Sequence, residues 1–284
     1  MLGQALLAEA GARDLRMSGA ARKGADHACD LTEGGVAAAL VASLRPKLVI
    51  NAVALTDLNA CESDPGLAYR VNARAVSLLA EACRAAGSRL LHVSTDHFFS
   101  GDGAAAHGEV APVALVNEYA RSKFAGEAFA LALPGALVLR TNITGFRGWA
   151  GKPTFAEWLI GAIERDDEMT LFDDFWTSTL DARSFARAAL DLAAAGTAGL
   201  LNVASRSIAS KRMFAEALAG ALGHTMTRAK AGSVAALPVR RAESAGLDVK
   251  VAQSILGRTL PDLGEVTAAL VSEYKSRCVT TPAS

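Results

Sequence analysis

Short apolar runs alternate with longer Ala/Leu-rich stretches along the chain. The runs "KLVINAVAL" (47–55), "RLLHVST" (89–95), "ALVLRTNI" (136–143) and "GLLNVAS" (199–205) read as strands. The stretches 35–44, 66–87, 117–133, 154–164, 183–195 and 211–222 space their apolar residues as helices do. Near-continuous apolar strands between helices indicate a parallel sheet buried on both faces, so the expected fold class is α/β with a doubly wound parallel sheet. "LRMSG" (15–19) is a shorter strand candidate. From about 223 onward, Gly/Pro-punctuated loops and a closing helix, "LGEVTAALVSEYKS" (263–276), suggest a smaller C-terminal α/β lobe. The first line, "MLGQALLAEAG", is itself helical, with Leu2, Leu6 and Leu7 on helical spacing and no strand before it.

In doubly wound sheets ligands sit outside the carboxyl ends of the strands. The segments at those ends are "TDLNACESDP", "TDHFFSGDG" and "TNITGFRG". The chemistry-bearing motif is "NEYARSKFAGE" (117–127), where Tyr119 and Lys123 lie four apart on one helix and share a face. A tyrosine hydroxyl, with a reference pKa of ~10, is a poor acid–base group at neutral pH. A neighbouring ammonium is expected to stabilise the phenolate and bring it toward the working range. Such a pair also arises by chance on exposed helices. The preceding strand changes that balance, because it ends in Ser94, Thr95 and Asp96. A strand-end hydroxyl followed by Tyr-x-x-x-Lys forms a plausible carbonyl-reducing constellation. The competing reading of Ser94-Thr95-Asp96 is a turn in which Asp96 caps local backbone.

Composition narrows the partners. Lys+Arg and Asp+Glu balance at 29 each, which leaves no cation excess to neutralise nucleic-acid phosphates. No apolar run reaches the ~18 residues of a membrane span, and the apolar start lacks a basic leader. Cys29, Cys61, Cys83 and Cys278 are scattered without metal-ligand spacing. They read as reduced thiols, and a cytoplasmic location with no metal site is expected.

The stretches "VINAVALTDLNACESDP", "RVNARAVSLLAEACRAAG", "LHVSTDHFFSGDG", "YARSKFAGE", "VLRTNITG", "DARSFARAALDL" and "RRAESAGLDVKVAQSILG" together resemble the extended short-chain dehydrogenase/reductases, in the dTDP-4-dehydrorhamnose reductase-like branch. The resemblance implies a Rossmann body that binds NADP, with NAD as the other option, and reduction of a nucleotide-linked keto-sugar. It implies a dinucleotide-binding domain over 1–141, to which 171–205 returns, and a substrate lobe of 142–170 with 206–284. It assigns the carbonyl contact to Thr95, the proton donor to Tyr119 and the ribose-binding cation to Lys123. Asp30 and Leu31 match the adenine-flanking pair, and Ala54, Leu55 and Thr56 the loop along the pyrophosphate and ribose. Asn72 matches the helix asparagine on the cofactor side. Met1, Leu2 and Gly3 fall in the phosphate turn, with Gly3 matching the glycine that allows close helix–sheet packing. Arg22, beside Lys23 and with no acid nearby, leans toward a 2′-phosphate, although both read equally as solvated loop cations. Thr95, Asp96, Asn142 and Ile143 are the implied substrate contacts, and a homodimer is the assembly carried with this reading.

Two departures stand out. Ile143 occupies a position that is aromatic in the rhamnose-forming reductases; Trp149, Trp158 and Trp176 are substitutes for it or packing residues. The family's first strand and first two glycines have no counterpart before Met1. Removing a central strand strands buried backbone groups at ~1–3 kcal/mol each. The expectation is therefore a misassigned start, with about a dozen upstream residues encoding a strand and a Gly-rich turn. The competing functions are a non-catalytic regulatory subunit resembling that of methionine adenosyltransferase, or an inactive truncated copy. An epimerase or dehydratase ranks lower, because Asp96 and His97 follow Thr95 where a dehydratase needs an Asp-Glu pair.

Overall fold

The computed structural model describes residues 1–147 and 152–280. Trp149 lies outside them. The chain opens with α1 (Leu2–Ala12), then β1 (Ala20–Ala21) and β2 (His27–Ala28), which pair in parallel. The candidate strand at 15–19 is not one. Asp14 turns into the left-handed region (φ 54°) after α1, Leu15 is exposed, and pairing begins only at Ala20. Next come α2 (Val36–Leu44), β3 (Leu48–Asn51), α3 (Leu58–Ser63) and α4 (Pro65–Tyr69). A π-helical turn over Arg70–Arg74 then leads into α5 (Ala75–Ala86) and β4 (Arg89–Val93). The helical stretch expected over 66–87 is thus helical from Pro65, where Asp64 caps it, to Ala86, with one π turn inside it. After α6 (Glu118–Leu131) and β5 (Leu137–Arg140), the order β10-β5-β4-β3 forms a four-stranded parallel sheet, where β10 is Gly199–Asn202.

That sheet is covered on both faces, as its apolar runs require. Leu90 and Val138 pack with Val76, Ala80 and Cys83 of α5 and Ala130 of α6. Their neighbours Leu91, Leu137 and Leu139 join Phe185, Ala189 and Leu192 of α8 (Ala182–Ala194) in the main core. Alternating side chains thus take opposite faces. Helix α1 packs on α8 through Leu6, Ala10, Ala186 and Leu190.

The remaining elements are β6 (Asn142–Thr144), α7 (Phe155–Glu164), β7 (Met169–Phe172), β8 (Trp176–Thr177) and β9 (Thr179–Asp181), followed after β10 by β11 (Ala209–Ser210), α9 (Lys211–Leu222), β12 (Ala229–Gly232), β13 (Ser244–Ala245), α10 (Lys250–Leu256) and α11 (Leu263–Thr280). The sequence pattern missed six of these strands, β7, β8, β9, β11, β12 and β13, each two to four residues long. The stretch 171–205 divides between partners. Strands β7 and β8 pair with β12, β11 and β13 from the C-terminal part, whereas β10 joins the main sheet. β9 runs parallel to β6 and brings Thr179 beside Asn142.

Candidate active site

The site forms where β4 ends. Thr95 and Asp96 follow the strand, and the Asp96 N–H bonds to the Thr141 carbonyl beyond β5, which extends the ladder past its last residue. Helix α6 starts nearby because Asn117 caps it, its side chain accepting from the Ala120 N–H at 2.8 Å. The Asn117 amide also donates to the Arg240 carbonyl at 2.9 Å, tying the start of α6 to the C-terminal loop. Tyr119, two residues into the helix, is buried, and Thr95 and Asp96 both act on its phenol. The Thr95 hydroxyl donates to Asp96 Oδ1 at 3.3 Å and accepts from the His97 N–H at 3.3 Å. The His97 ring meets Tyr119 edge-on at 5.6 Å and Phe175 at 5.7 Å.

Burial, not a neighbouring cation, dominates the electrostatics. It raises the Tyr119 phenol above its ordinary range; the Thr95 hydroxyl opposes the rise, while Asp96 and Cys61 add to it. The phenolate-stabilising effect expected of Lys123 is therefore corrected. The Lys123 ammonium turns instead to the Val93 carbonyl at 2.7 Å, and burial lowers it to about 8. Burial also raises the Asp96 carboxyl to about 6, against the opposing pull of Lys211 and Asn142, and lowers His97 to about 3.

Helix α6 is held by two devices. Glu127 takes a two-pronged bond from Arg140 of β5, at 2.9 Å from Nε and 2.8 Å from NH2, with both side chains 3 % exposed. At Gly126, the helix lies so close to the π turn that an added Cβ would overlap the Asn72 carbonyl oxygen.

The chain as a whole has known relatives. Residues 1–276 match the model of the RmlD substrate binding domain. The chain belongs to the RmlD substrate-binding domain family. It is 33 % identical over 258 residues to a probable low-salt glycan biosynthesis reductase of Haloferax volcanii, covering 88 % of this chain and 86 % of that one. It is 31 % identical over 268 residues to a dTDP-4-dehydrorhamnose reductase of Burkholderia thailandensis, covering 88 % and 90 %. A crystal structure of dTDP-4-dehydrorhamnose reductase from Bacillus anthracis in complex with NADP shares its fold, with TM-score 0.86 and 22 % identity over 96 % of this chain and 95 % of that one. The family, the doubly wound fold and the oxidoreductase class expected from the motifs all stand.

The other residues that the resemblance points to are spread over several elements. Asn72 is buried and fully engaged: Oδ1 accepts from the Leu55 N–H at 2.8 Å, and Nδ2 donates to the Leu55 carbonyl and to Ser122 Oγ at 3.1 and 3.0 Å. It therefore shapes the Ala54–Leu55–Thr56 loop. Asp30 accepts from the Thr32 N–H and hydroxyl at 2.9 and 2.7 Å, forming a tight loop that includes Leu31. Arg22 follows β1 directly and is exposed. Met1 and Leu2 start α1 beside Gly145 and the core, but Gly3 is exposed and a Cβ there would meet nothing within 4 Å, which corrects its expected role in close packing. Asn142 reaches Asp96 at 2.8 Å, while Ile143, its neighbour on β6, packs on the main core.

Lys211, Phe175 and Arg241 also surround the site; Arg241 opens the segment "RAESAGLD" with no role assigned to it there, and no motif announced Lys211 or Phe175. Lys211 and Arg241 are the two cations that act on His97. Among the described residues no cluster of His, Cys, Asp and Glu could hold a metal, and no helix is long and apolar enough to cross a membrane.

Proposed function

We propose that this protein is an NADPH-dependent reductase of a nucleotide-linked keto-sugar. The observation that carries the reading is the enclosed Tyr119–Thr95–Asp96 arrangement at the end of β4, with Lys123 one turn along α6. The named relatives are reductases, one of them of dTDP-4-dehydrorhamnose. The cofactor fits the residues present. Lys123 makes no ion pair among the described residues, and its ammonium has three donors with only Val93 as a partner, so donors remain for ribose hydroxyls. The loop at Ala54–Thr56 is fixed beside it by Asn72. Arg22, at the end of β1, supports a 2′-phosphate and hence NADPH over NADH.

The nicotinamide, when bound, supplies the hydride. Tyr119 supplies the proton to the ketone oxygen, and its high proton affinity keeps it protonated and ready to donate throughout the neutral range. Thr95, whose hydroxyl is bonded to Asp96 at 3.3 Å and acts on the Tyr119 phenol, is taken as the contact to the ketone oxygen. Asp96 and Asn142 offer an acceptor and a donor to sugar hydroxyls. We take residues 142–170 and 206–284 as the part that selects the sugar.

The test is NADPH oxidation with a panel of nucleotide 4-keto-sugars. Tyr119→Phe keeps the ring and loses the proton, and turnover is expected to fall about 10²–10⁴-fold while NADPH affinity is retained. Equal turnover in Tyr119→Phe would overturn the role of Tyr119, and NADPH binding without oxidation by either protein across the panel would overturn the reading in favour of a binding subunit.

A further inference from the structure

Five polar side chains link α9 to the site across three strands. Lys211 donates to Thr177 Oγ1 at 3.3 Å, Thr177 and Thr179 share a bond of 2.9 Å, Thr179 donates to Asn142 Oδ1 at 2.9 Å, and Asn142 donates to Asp96 Oδ2 at 2.8 Å. The direction of every bond is determined. A carboxylate only accepts, so it fixes which end of the Asn142 amide faces it. The Asn142 oxygen then takes the single Thr179 proton, so Thr179 must accept from Thr177, and the ammonium supplies Thr177. All donors therefore point from the cation to the carboxylate. Thr177, Thr179 and Asp96 are buried, and the Lys211 ammonium is held between the Phe155 and Phe175 rings, 5.2 Å from each centroid. Lys211 makes no ion pair among the described residues, although it is a cation set against aromatic rings, so its charge is met chiefly through this chain.

We propose that Lys211 is a positioning residue for the site: through Thr177, Thr179 and Asn142 it holds Asp96 as an oriented acceptor for a hydroxyl of the bound sugar. The sugar part rests on the proposed reductase function; the chain itself does not. Lys211 supports the ionised form of Asp96 against burial, as does the Asn142 bond. Thr95 also donates to Asp96, at its other oxygen; the other titratable groups near it do not support its charge. Tyr119 on α6 is held protonated and His97 neutral. Lys123 on α6 is turned to Val93, and Arg241, in the loop before β13, acts on His97 and is influenced by Asp57.

The experiment follows Asp96 directly. Protein labelled at aspartate 13Cγ is titrated by NMR, with the Asp96 signal assigned by its loss in Asp96→Asn. Lys211→Met removes the charge. Thr179→Val keeps the charge and cuts the chain. Both are expected to move the Asp96 midpoint upward by about one unit, with Lys211→Arg returning it toward the wild-type value. A shift in Lys211→Met alone would mean a field effect and overturn the chain; no shift in either variant would overturn the proposal altogether. The readout needs no turnover, so an inactive wild type would refute the reductase reading without mimicking either result.

Discussion

At the scale of single residues, the site stores its cost in Lys123. Its folded value, about 8, lies below the ~10.4 of an unfolded lysine, and the first cause is burial. The sign follows. Between those values the unfolded chain holds the proton and the native protein does not, so stability from this group rises with pH across that window. Below about 8 both states are charged, and the native protein carries the full cost of the buried ammonium. Lys123→Met is therefore expected to be more stable than wild type at pH 7, by on the order of 2 kcal/mol after losing the bond to Val93. The gap should shrink steadily above pH 8, as urea unfolding of both proteins across pH would show. A variant that is less stable at pH 7, or a gap independent of pH, would mean that the ammonium is not desolvated. The same variant should lose NADPH affinity, the trade expected where a binding group is held at the expense of stability. The motifs made Thr95, Tyr119 and Lys123 legible because each sits at a fixed spacing on one element. Lys211 was not legible, because its link to Asp96 runs through Thr177, Thr179 and Asn142, which come from separate strands.

At the scale of elements, the crossing of α6 over the π turn decides where Tyr119 and Lys123 stand. A π turn inserts backbone that a uniform helix lacks, and such turns recur at functional sites. Here it carries Asn72, whose side chain grips Leu55 and whose carbonyl lies against Gly126. Sequence periodicity could not separate this turn from the helix around it, since both bury alanines, Ala73 in the turn and Ala75 after it. The long helices and the four sheet strands were legible because their apolar pattern persists over many residues. The two- to four-residue strands of the C-terminal part were not, because a pair of residues has no period. Gly126→Ala tests the crossing. The new methyl overlaps backbone, not a side-chain end that could swing aside, so α6 must move away from the π turn. The expected loss is about 1–3 kcal/mol in urea unfolding, together with weakened NADPH binding as Lys123 moves with the helix. A loss within about 0.5 kcal/mol with binding intact would show that the two elements can separate freely.

For the whole molecule, the same burial that builds the sheet sets opposing proton balances in different places. Cys61 on α3 and Cys83 on α5 are both pushed up to about 11, chiefly by burial, so the native protein keeps protons that unfolded thiols lose near ~8.5. These two groups lower stability as pH rises. Lys123 and Lys211, both near 8 through burial, raise it over much the same range. The ammonium of Lys211 is enclosed even though the residue keeps part of its surface. Two protons gained and two lost nearly cancel between pH 9 and the unfolded lysine value of ~10.4, so these four groups leave the alkaline stability of the wild type flat. Replacing both thiols, Cys61→Ala with Cys83→Ala, removes one side of the balance. Small cavities lower the whole curve, but the slope is the informative quantity. Relative to wild type, the double variant should gain about 3 kcal/mol as pH rises from 8.5 to 10, read from urea midpoints at each pH. Above that range the unfolded Tyr119 begins to lose its proton while the buried one does not, which closes the window. Parallel curves for wild type and double variant would place the thiol titrations outside the folding equilibrium, and the offset between buried bases and buried thiols would be refuted.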